Sequence, residues 1–261
     1  MTTEWHDMSA LALGEAIGQG EIDAGELCEH FLARIERIDT KHDIYLRTTP
    51  ERARAEAAAA ERARKGLRLS PLDGVPISWK DMFDSAGDVT GHGAKVLQER
   101  VAEQDATVVA RAGRAGLVCL GKTNQTELAF SILGINPNYG TPANPFDDKV
   151  ARLPGGSTSG GAVSVARGLA ATAIGSDTGG LVRVPAAWNG LVGLKTSFGL
   201  LPLKGVLGLS TSMDTVGPLT RDVADAAALF SALAGRYGAG NSHAPDLAGM
   251  DPARLSLALP A

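Results

Sequence analysis

The feature that most constrains the fold is a glycine-rich stretch between residues 151 and 193, which holds ten of the chain's 32 glycines. Three glycine pairs mark its turns: Gly155-Gly156, Gly160-Gly161 and Gly179-Gly180. Polar side chains lie between the pairs: Ser157, Thr158, Ser159, Ser176, Asp177 and Thr178. Glycine lets the backbone adopt positive φ angles and approach another group closely. On this stretch alone, two interpretations stay open: a site where backbone N–H groups bind a ligand, or two ordinary loops.

Short apolar segments alternate with helical segments after residue 70, and this alternation predicts an α/β fold. The strands of this part are predicted within residues 72–79, 117–120, 171–174, 192–195 and 255–259. The helices are predicted to begin at Asp105, at about Thr158, and at Thr220 or Asp222. Because the sequence stops just after the last predicted strand, we expect a continuation of the sheet to be missing.

Residues 1–70 are predicted to be helical, because a start signal precedes each of three apolar or alanine-rich runs. Ser9 is a favourable N-cap, Asp23 with Glu26 resembles a capping box, and Pro50 suits a first helical turn. We therefore expect an N-terminal helical segment over residues 1–70, packed on a core over residues 71–261 to form one domain.

The composition predicts a soluble, cytoplasmic, globular protein. Hydrophobic residues make up 44% of the chain and charged residues 21%. A net charge of −4 gives no general electrostatic reason to bind nucleic acid. The N-terminus lacks the basic and apolar regions of a signal peptide, and no apolar run is long enough to cross a bilayer. We therefore expect neither nucleic acid nor a membrane as a partner.

Three familiar catalytic patterns find no support in this sequence. Residues 116–123 match the phosphate-loop pattern G-x-x-x-x-G-K-[ST], but their Leu-Val-Cys-Leu centre predicts a strand instead of an open turn. The surroundings of Ser157 do not give the G-x-S-x-G pattern of a Ser-His-Asp hydrolase. The five histidines and two cysteines share no metal-ligand spacing, which argues against a catalytic zinc. A histidine base brought close only by folding stays open.

Outside the glycine-rich stretch, Lys80 is the main candidate for a catalytic residue. It follows the apolar run Val-Pro-Ile-Ser-Trp at the end of a predicted strand. A lysine acts as a general base only when it is neutral, and burial favours the neutral amine. The alternative, an ordinary surface lysine at a strand end, stays open on this segment alone.

Taken together, seven segments resemble the amidase signature family of serine amidohydrolases. In chain order they are GVPISWKD at 74–81, GKTN at 121–124, PGGSTSG at 154–160, GSDTGG at 175–180, RVPAA at 183–187, GLK at 193–195 and DTVGP at 214–218. The resemblance implies a mixed central β-sheet flanked by helices. It also implies hydrolysis of the C–N bond of a small-molecule carboxamide, without a metal or other cofactor, and it leaves a homo-oligomer open.

The resemblance implies a Ser–cis-Ser–Lys triad. In that scheme Lys80 is the base, and Ser157, preceded by a cis peptide bond, relays the proton. The oxyanion hole is expected from backbone amides of the turn Thr178, Gly179 and Gly180. Three residues are expected to support the site: Ser159, Asp177 and Arg183.

The sequence departs from the family pattern at two points. The nucleophilic serine is expected at position 181, where this chain has Leu181, which carries no hydroxyl and forms no acyl-enzyme. Family members are also close to twice as long, so the chain is expected to lack the C-terminal part of the fold. Two hypotheses follow: an amidase whose activity is in doubt, or a catalytically silent pseudoenzyme or fragment of a longer amidase.

Overall fold

A mixed six-stranded sheet lies at the centre of the fold, which confirms the predicted α/β class. The computed structural model describes residues 4–147 and 149–237. The strands are β1 (Tyr45–Thr48), β2 (Pro76–Lys80), β3 (Val118–Thr123), β4 (Thr172–Asp177), β5 (Val192–Gly193) and β6 (Thr215–Thr220). They lie in the order β1-β3-β2-β4-β6-β5. β2 runs parallel to both β3 and β4, whereas β1, β5 and β6 pair antiparallel with their neighbours.

Helices flank this sheet along the described part of the chain. The α-helices are α1 (Ala10–Gln19), α2 (Ala24–Ile38), α3 (Pro50–Ala59), α4 (Thr107–Arg114), α5 (Ser159–Ala166), α6 (Arg183–Trp188) and α7 (Val223–Leu233). Short 3-10 helices occupy Trp5–Asp7, Ala60–Lys65, Lys95–Leu97 and Glu127–Ala129. Among the described residues, no helix is both long enough and apolar enough to span a membrane.

Most of the predicted helix starts are confirmed by their capping contacts. The side chains of Ser9, Asp23 and Asp222 each accept a hydrogen bond from an amide in the first turn of the helix that follows. Pro50 is the first residue of α3. Of the two predicted start residues of α7, Asp222 and not Thr220 is therefore the N-cap. These signals are local, which is why they can be recognised in the sequence.

The start of α4 differs from the prediction. Ala106 occupies the N-cap position of this helix, and Asp105 makes no capping hydrogen bond. The carboxylate of Asp105 accepts hydrogen bonds from the Arg52 guanidinium and from the Ala86 amide instead. A long-range ion pair has therefore replaced the local cap.

Two strands, β1 and β6, are absent from the sequence-based prediction. β1 lies inside the segment expected to be wholly helical, and it is a four-residue edge strand with one exposed end. β6 contains a Gly-Pro pair, which lowers its intrinsic preference for a strand. The domain boundary at residue 70 stays a prediction, and the strand predicted at 255–259 lies outside the described residues.

One buried hydrophobic cluster joins the N-terminal helices to the sheet. Leu13 of α1 and Phe31 of α2 belong to the same cluster as Trp79 of β2 and Leu120 of β3. Trp79 also packs edge-on against Phe83, with 5.2 Å between the ring centroids. The first seventy residues and the sheet therefore share a core.

The carboxyl ends of the three parallel strands meet at one edge of the sheet, where ligands bind in many α/β folds. β2 ends at Lys80, β3 at Thr123 and β4 at Asp177. The first turn of α5 packs against this edge, because the Gly160 amide donates a 2.9 Å hydrogen bond to the Asn124 carbonyl oxygen. This edge is where the sequence segments with predicted chemistry converge.

We expect Gly160→Ala to destabilise the protein. A Cβ at Gly160 would lie 2.3 Å from the Ile44 carbonyl oxygen and 2.6 Å from the Asn124 amide nitrogen. Both are backbone atoms, so no side-chain rotation relieves the contact, and overpacking of this kind costs about 1–3 kcal/mol. Urea denaturation measures the loss in free energy of unfolding.

Gly113→Ala is the matched control. A Cβ at Gly113 in α4 meets no described atom within 4 Å. This substitution should raise the free energy of unfolding by up to about 1 kcal/mol, because alanine favours the helix. If Gly160→Ala were as stable as the wild type, this result would contradict the close packing of α5 on the end of β3.

Candidate active site

The amine of Lys80 lies at the centre of the candidate site. The side chain is fully buried at the end of β2. Its Nζ donates hydrogen bonds to Ser157 Oγ at 2.6 Å and to Ser176 Oγ at 2.8 Å. The parallel pairing of β2 with β4 brings Ser176 beside it. The structure thus joins Lys80 and Ser157, which the sequence links only by resemblance, and adds a second hydroxyl.

Burial of Lys80 changes its acid–base behaviour. Desolvation of the ammonium lowers its pKa from 10.5 to about 7, against the opposing effect of the Asp177 and Asp214 carboxylates. A substantial fraction of the amine is therefore neutral near pH 7. A general base works best when its pKa lies close to the working pH, and Lys80 meets that condition.

Ser157 reaches Lys80 from the turn that precedes α5. The peptide bond between Gly156 and Ser157 is cis. A Cβ at Gly156 would lie 2.5 Å from the Gly134 amide nitrogen, so this glycine is needed for close packing of the chain on itself. Ser159 begins α5, and its hydroxyl donates to the Asn124 carbonyl oxygen at 3.4 Å. Ser159 therefore contacts the end of β3 and not the Lys80 amine.

Asp177 organises the turn between β4 and α6. Its carboxylate accepts hydrogen bonds from the amides of Gly180, Val182 and Arg183, and from Nε and Nη2 of the Arg183 guanidinium. Burial raises the pKa of Asp177, but the hydrogen bonds from Arg183 and the amides outweigh burial and hold the pKa below its usual range. The charged carboxylate thus accepts five hydrogen bonds that tie the turn together.

The same turn presents free backbone donors. The Gly180 amide is already bonded to Asp177 at 2.7 Å. The amides of Gly179 and Leu181 have no hydrogen-bond acceptor within the ranges that the structure describes. Gly179 is exposed, and the hydroxyl of partly exposed Thr178 donates to Asp214. Of the predicted oxyanion donors, the Gly180 amide is therefore occupied, whereas the Thr178 and Gly179 amides have no described acceptor, and Leu181 adds a further free amide.

The side chain of Leu181 is buried, and its backbone is bonded to the turn that carries Ser157. It is 4% exposed, and its carbonyl oxygen accepts a 3.3 Å hydrogen bond from the Thr158 amide. This bond places position 181 next to the Ser157 turn. Within the described part of the chain, Leu181 belongs to none of the clusters that form the hydrophobic core. A buried apolar side chain therefore occupies the position at which the family pattern has a serine.

His92 joins the site, although no sequence pattern singles it out. Its amide donates to the Asp81 carbonyl oxygen at 2.7 Å, which brings it to the residue after Lys80. The side chain is 4% exposed. The charges that act on its imidazole are those of Lys80 and Asp214. A main-chain contact between residues eleven positions apart leaves no recognisable spacing, so the sequence carries no signal for it.

Metal and thiolate chemistry find no support in the described ranges, 4–147 and 149–237. No three His, Cys, Asp or Glu side chains there are grouped closely enough to hold a metal ion. Cys28 and Cys119 are both free and buried. Burial raises the pKa of each thiol to about 11, so both are protonated at neutral pH.

Comparison with known proteins gives consistent matches. The model of the Amidase family matches residues 26–252. The A subunit of the glutamyl-tRNA(Gln) amidotransferase of Chromohalobacter salexigens is 40% identical over 230 residues, covering 88% of this chain and 47% of that protein. Its counterpart in Anaeromyxobacter sp. (strain K) is 42% identical over 239 residues, covering 90% and 48%. The chain spans about half the length of the curated relatives it matches.

The fold is similar to that of solved amidase structures. The native peptide amidase from Stenotrophomonas maltophilia superimposes with a TM-score of 0.81 and 39% sequence identity. That match covers 88% of this chain and 48% of the peptide amidase. The mixed sheet and its flanking helices are therefore those of an amidase fold, of which this chain carries about half.

We expect Asp177→Asn to destabilise the turn between β4 and α6. The substitution removes the charge that accepts hydrogen bonds from Arg183 and from three amides. Hydrogen bonds to a charged group are worth about 2 kcal/mol, so the free energy of unfolding should fall by at least that much. Urea denaturation measures the change.

Asp147→Asn provides the matched control, because the Asp147 carboxylate also accepts hydrogen bonds from an arginine, Arg152, at 2.8 Å and from the Lys149 and Val150 amides. That arginine is 63% exposed, and exposed pairs contribute little to stability. We expect no measurable change for this variant. Equal losses in both variants would contradict the special role of Asp177 in the turn.

The effect of Lys80→Met on stability should depend on pH. The unfolded chain holds the Lys80 proton up to about pH 10.5, whereas the folded chain releases it near pH 7. The wild type therefore gains stability relative to Lys80→Met as the pH rises from 7 to 10.5, and the difference is constant below that window. Thermal unfolding of both proteins across this range measures the trend, with exposed Lys95→Met as the control. A pH-independent difference would show that Lys80 is not buried as an amine of lowered pKa.

Proposed function

Because the chain belongs to the amidase family, we propose that the Lys80 centre is the acyl-transfer site of a carboxamide hydrolase whose nucleophile position is occupied by Leu181. The observation that carries this proposal is the 2.6 Å hydrogen bond between two fully buried groups, Lys80 Nζ and Ser157 Oγ. A buried amine without a carboxylate partner at hydrogen-bond distance is costly, and such groups are concentrated at functional sites.

Each residue of the centre has a role in the proposed mechanism. Neutral Lys80 accepts a proton from the hydroxyl of Ser157, which in turn accepts the proton of a nucleophile at position 181. The free amides of Gly179 and Leu181 donate to the oxyanion that forms when the nucleophile attacks the carboxamide carbon. Asp177 and Arg183 hold these amides in place.

The reaction that such a centre supports is the hydrolysis of a carboxamide. The nucleophile adds to the carbonyl carbon, the C–N bond breaks, and the amine leaves with the proton relayed from Lys80 through Ser157. Water then attacks the acyl-enzyme, releases the carboxylate and restores the hydroxyl. Leu181 offers no oxygen for the first step. We therefore propose that this chain binds a small carboxamide and does not cleave it.

Other hydroxyl groups do not replace the missing nucleophile in this mechanism. Ser176 is bonded to Lys80 at 2.8 Å, but it lies within β4, two residues before the turn that carries the free amides. Ser159 contacts the end of β3, and the Thr178 hydroxyl donates to Asp214. Nucleophilic attack tolerates little displacement of the reacting oxygen, so these groups are poorly placed.

A second candidate function rests on the extent of the matches. The chain covers 47% of one amidotransferase relative and 48% of another. In this alternative the chain is the signature-bearing half of a longer amidase, whose other half completes the acyl-binding pocket. Sequencing the gene beyond the codon for Ala261 tests this alternative. An in-frame continuation supports it, and an immediate stop codon excludes it.

Leu181→Ser should create a reactive serine. A fluorophosphonate probe phosphonylates only a serine that is activated by a base and an oxyanion hole, and intact-mass spectrometry detects one adduct. We expect no adduct on the wild type and one on Leu181→Ser, at position 181, together with release of ammonia from simple primary amides. Adding Lys80→Met to this variant should lower the labelling rate by about 10²–10⁴-fold, because the general base is lost.

Leu181→Ala is the control for the loss of the leucine side chain, because it opens the same space without a hydroxyl. Phosphonylation of the wild type or of Leu181→Ala at any serine would overturn the proposal of a silent centre. A folded Leu181→Ser variant that neither labels nor hydrolyses amides would show that the rest of the centre is incomplete.

A further inference from the structure

The loop that carries His92 is held against the residue after Lys80. The carboxylate of Asp81 accepts hydrogen bonds from the Gly91 and Gly93 amides, at 3.3 and 3.1 Å. The His92 amide between them donates to the Asp81 carbonyl oxygen. Three consecutive amides of the loop are therefore bonded to a single residue, which fixes His92 at the end of β2.

The backbone at His92 adopts a conformation that side chains with a Cβ rarely take. Its φ angle is +53°, and the loop residues Leu128 and Ala129 have φ angles of +51° and +59°. Within the described ranges, the one other non-glycine residue with a positive φ is His42. The two loops are bonded to each other, because the Leu128 amide donates to the His92 carbonyl oxygen at 3.0 Å. Backbone strain of this kind is concentrated at functional sites.

The imidazole of His92 is buried, but one of its ring nitrogens has no hydrogen-bond partner among the described residues. This nitrogen, Nε2, is inaccessible to solvent. Leaving a buried polar atom unpaired is unfavourable, and an unpaired group in a folded protein calls for an explanation. Burial, reinforced by the charge of Lys80, lowers the pKa of His92 to about 4, so the ring is neutral near pH 7.

We propose that His92 is a ligand-contacting residue of the Lys80 centre and that its Nε2 pairs with the bound carboxamide. This inference rests on the proposed function. A carboxamide carries both an N–H donor and a carbonyl acceptor, so either tautomer of a neutral imidazole can pair with it. The ligand would satisfy the atom that the protein leaves unpaired.

The direct test is an NMR titration of the wild-type chain with propionamide, with ¹⁵N-labelled histidine. Binding does not need a nucleophile, so the wild type is the right protein. We expect the Nε2 resonance of His92 to shift with saturation as propionamide is added, while the resonances of the other four histidines stay in place. A purely structural histidine would not respond. His92→Asn identifies the His92 resonances by their loss, because asparagine tolerates a positive φ.

A kinetic test uses His92→Phe in the Leu181→Ser background. Loss of one hydrogen bond to the ligand should raise KM for propionamide about fivefold, with a smaller effect on kcat. His42→Phe in the same background is the matched control, because His42 has the same φ of +53° but is exposed. It should leave KM unchanged. If His92→Phe does not fold, His92→Asn serves in its place.

The outcomes separate this inference from the proposed function. If the His92 resonance does not shift although Leu181→Ser hydrolyses propionamide, or if neither His92 variant changes KM, His92 is not a ligand contact and the proposed function stands. If no resonance shifts and Leu181→Ser is inactive, both proposals fail. A shift of His92 with an inactive Leu181→Ser variant supports the contact and rejects the proposed acyl-transfer role.

Discussion

The buried amine of Lys80 is the group on which the rest of the centre depends. Transfer of an ammonium from water to a protein interior is costly, and the cost here is met by lowering its pKa to about 7. Two hydroxyl groups, those of Ser157 and Ser176, accept its hydrogen bonds. Neither carries a charge that would keep the ammonium protonated. The surrounding fold thus maintains a base at the carboxyl end of β2.

Around this amine, the sheet and one carboxylate determine how the centre is arranged. The parallel pairing of β2 and β4 brings Lys80 within hydrogen-bond distance of Ser176, one residue before Asp177. Asp177 then holds the turn in which the Gly179 and Leu181 amides have no acceptor among the described residues. The base and the free donors are therefore placed by the same pair of strands. In the proposed function, the leucine at position 181 interrupts the chemistry and leaves the donors in place.

The sequence predicts those parts of the structure that rest on local signals. Ser9, Asp23 and Pro50 begin helices because their effects act within one turn, and the motifs around Lys80 and Ser157 identify the family. The sequence does not predict β1 or β6, because the pairing of both strands is long-range and β6 contains a Gly-Pro pair. It also does not reveal that the Gly180 amide donates its hydrogen bond to Asp177, or that His92 lies close to Lys80. Both depend on contacts that form only in the folded chain.

The most direct test of the proposed centre is a crystal structure of Leu181→Ser after reaction with a fluorophosphonate. We predict a bond from phosphorus to the oxygen introduced at position 181. We also predict that the phosphonyl oxygen lies about 2.7–3.1 Å from the amide nitrogens of Gly179 and position 181. Phosphorus bonded to Ser157 or Ser176, or a phosphonyl oxygen directed away from these amides, would contradict the proposed centre.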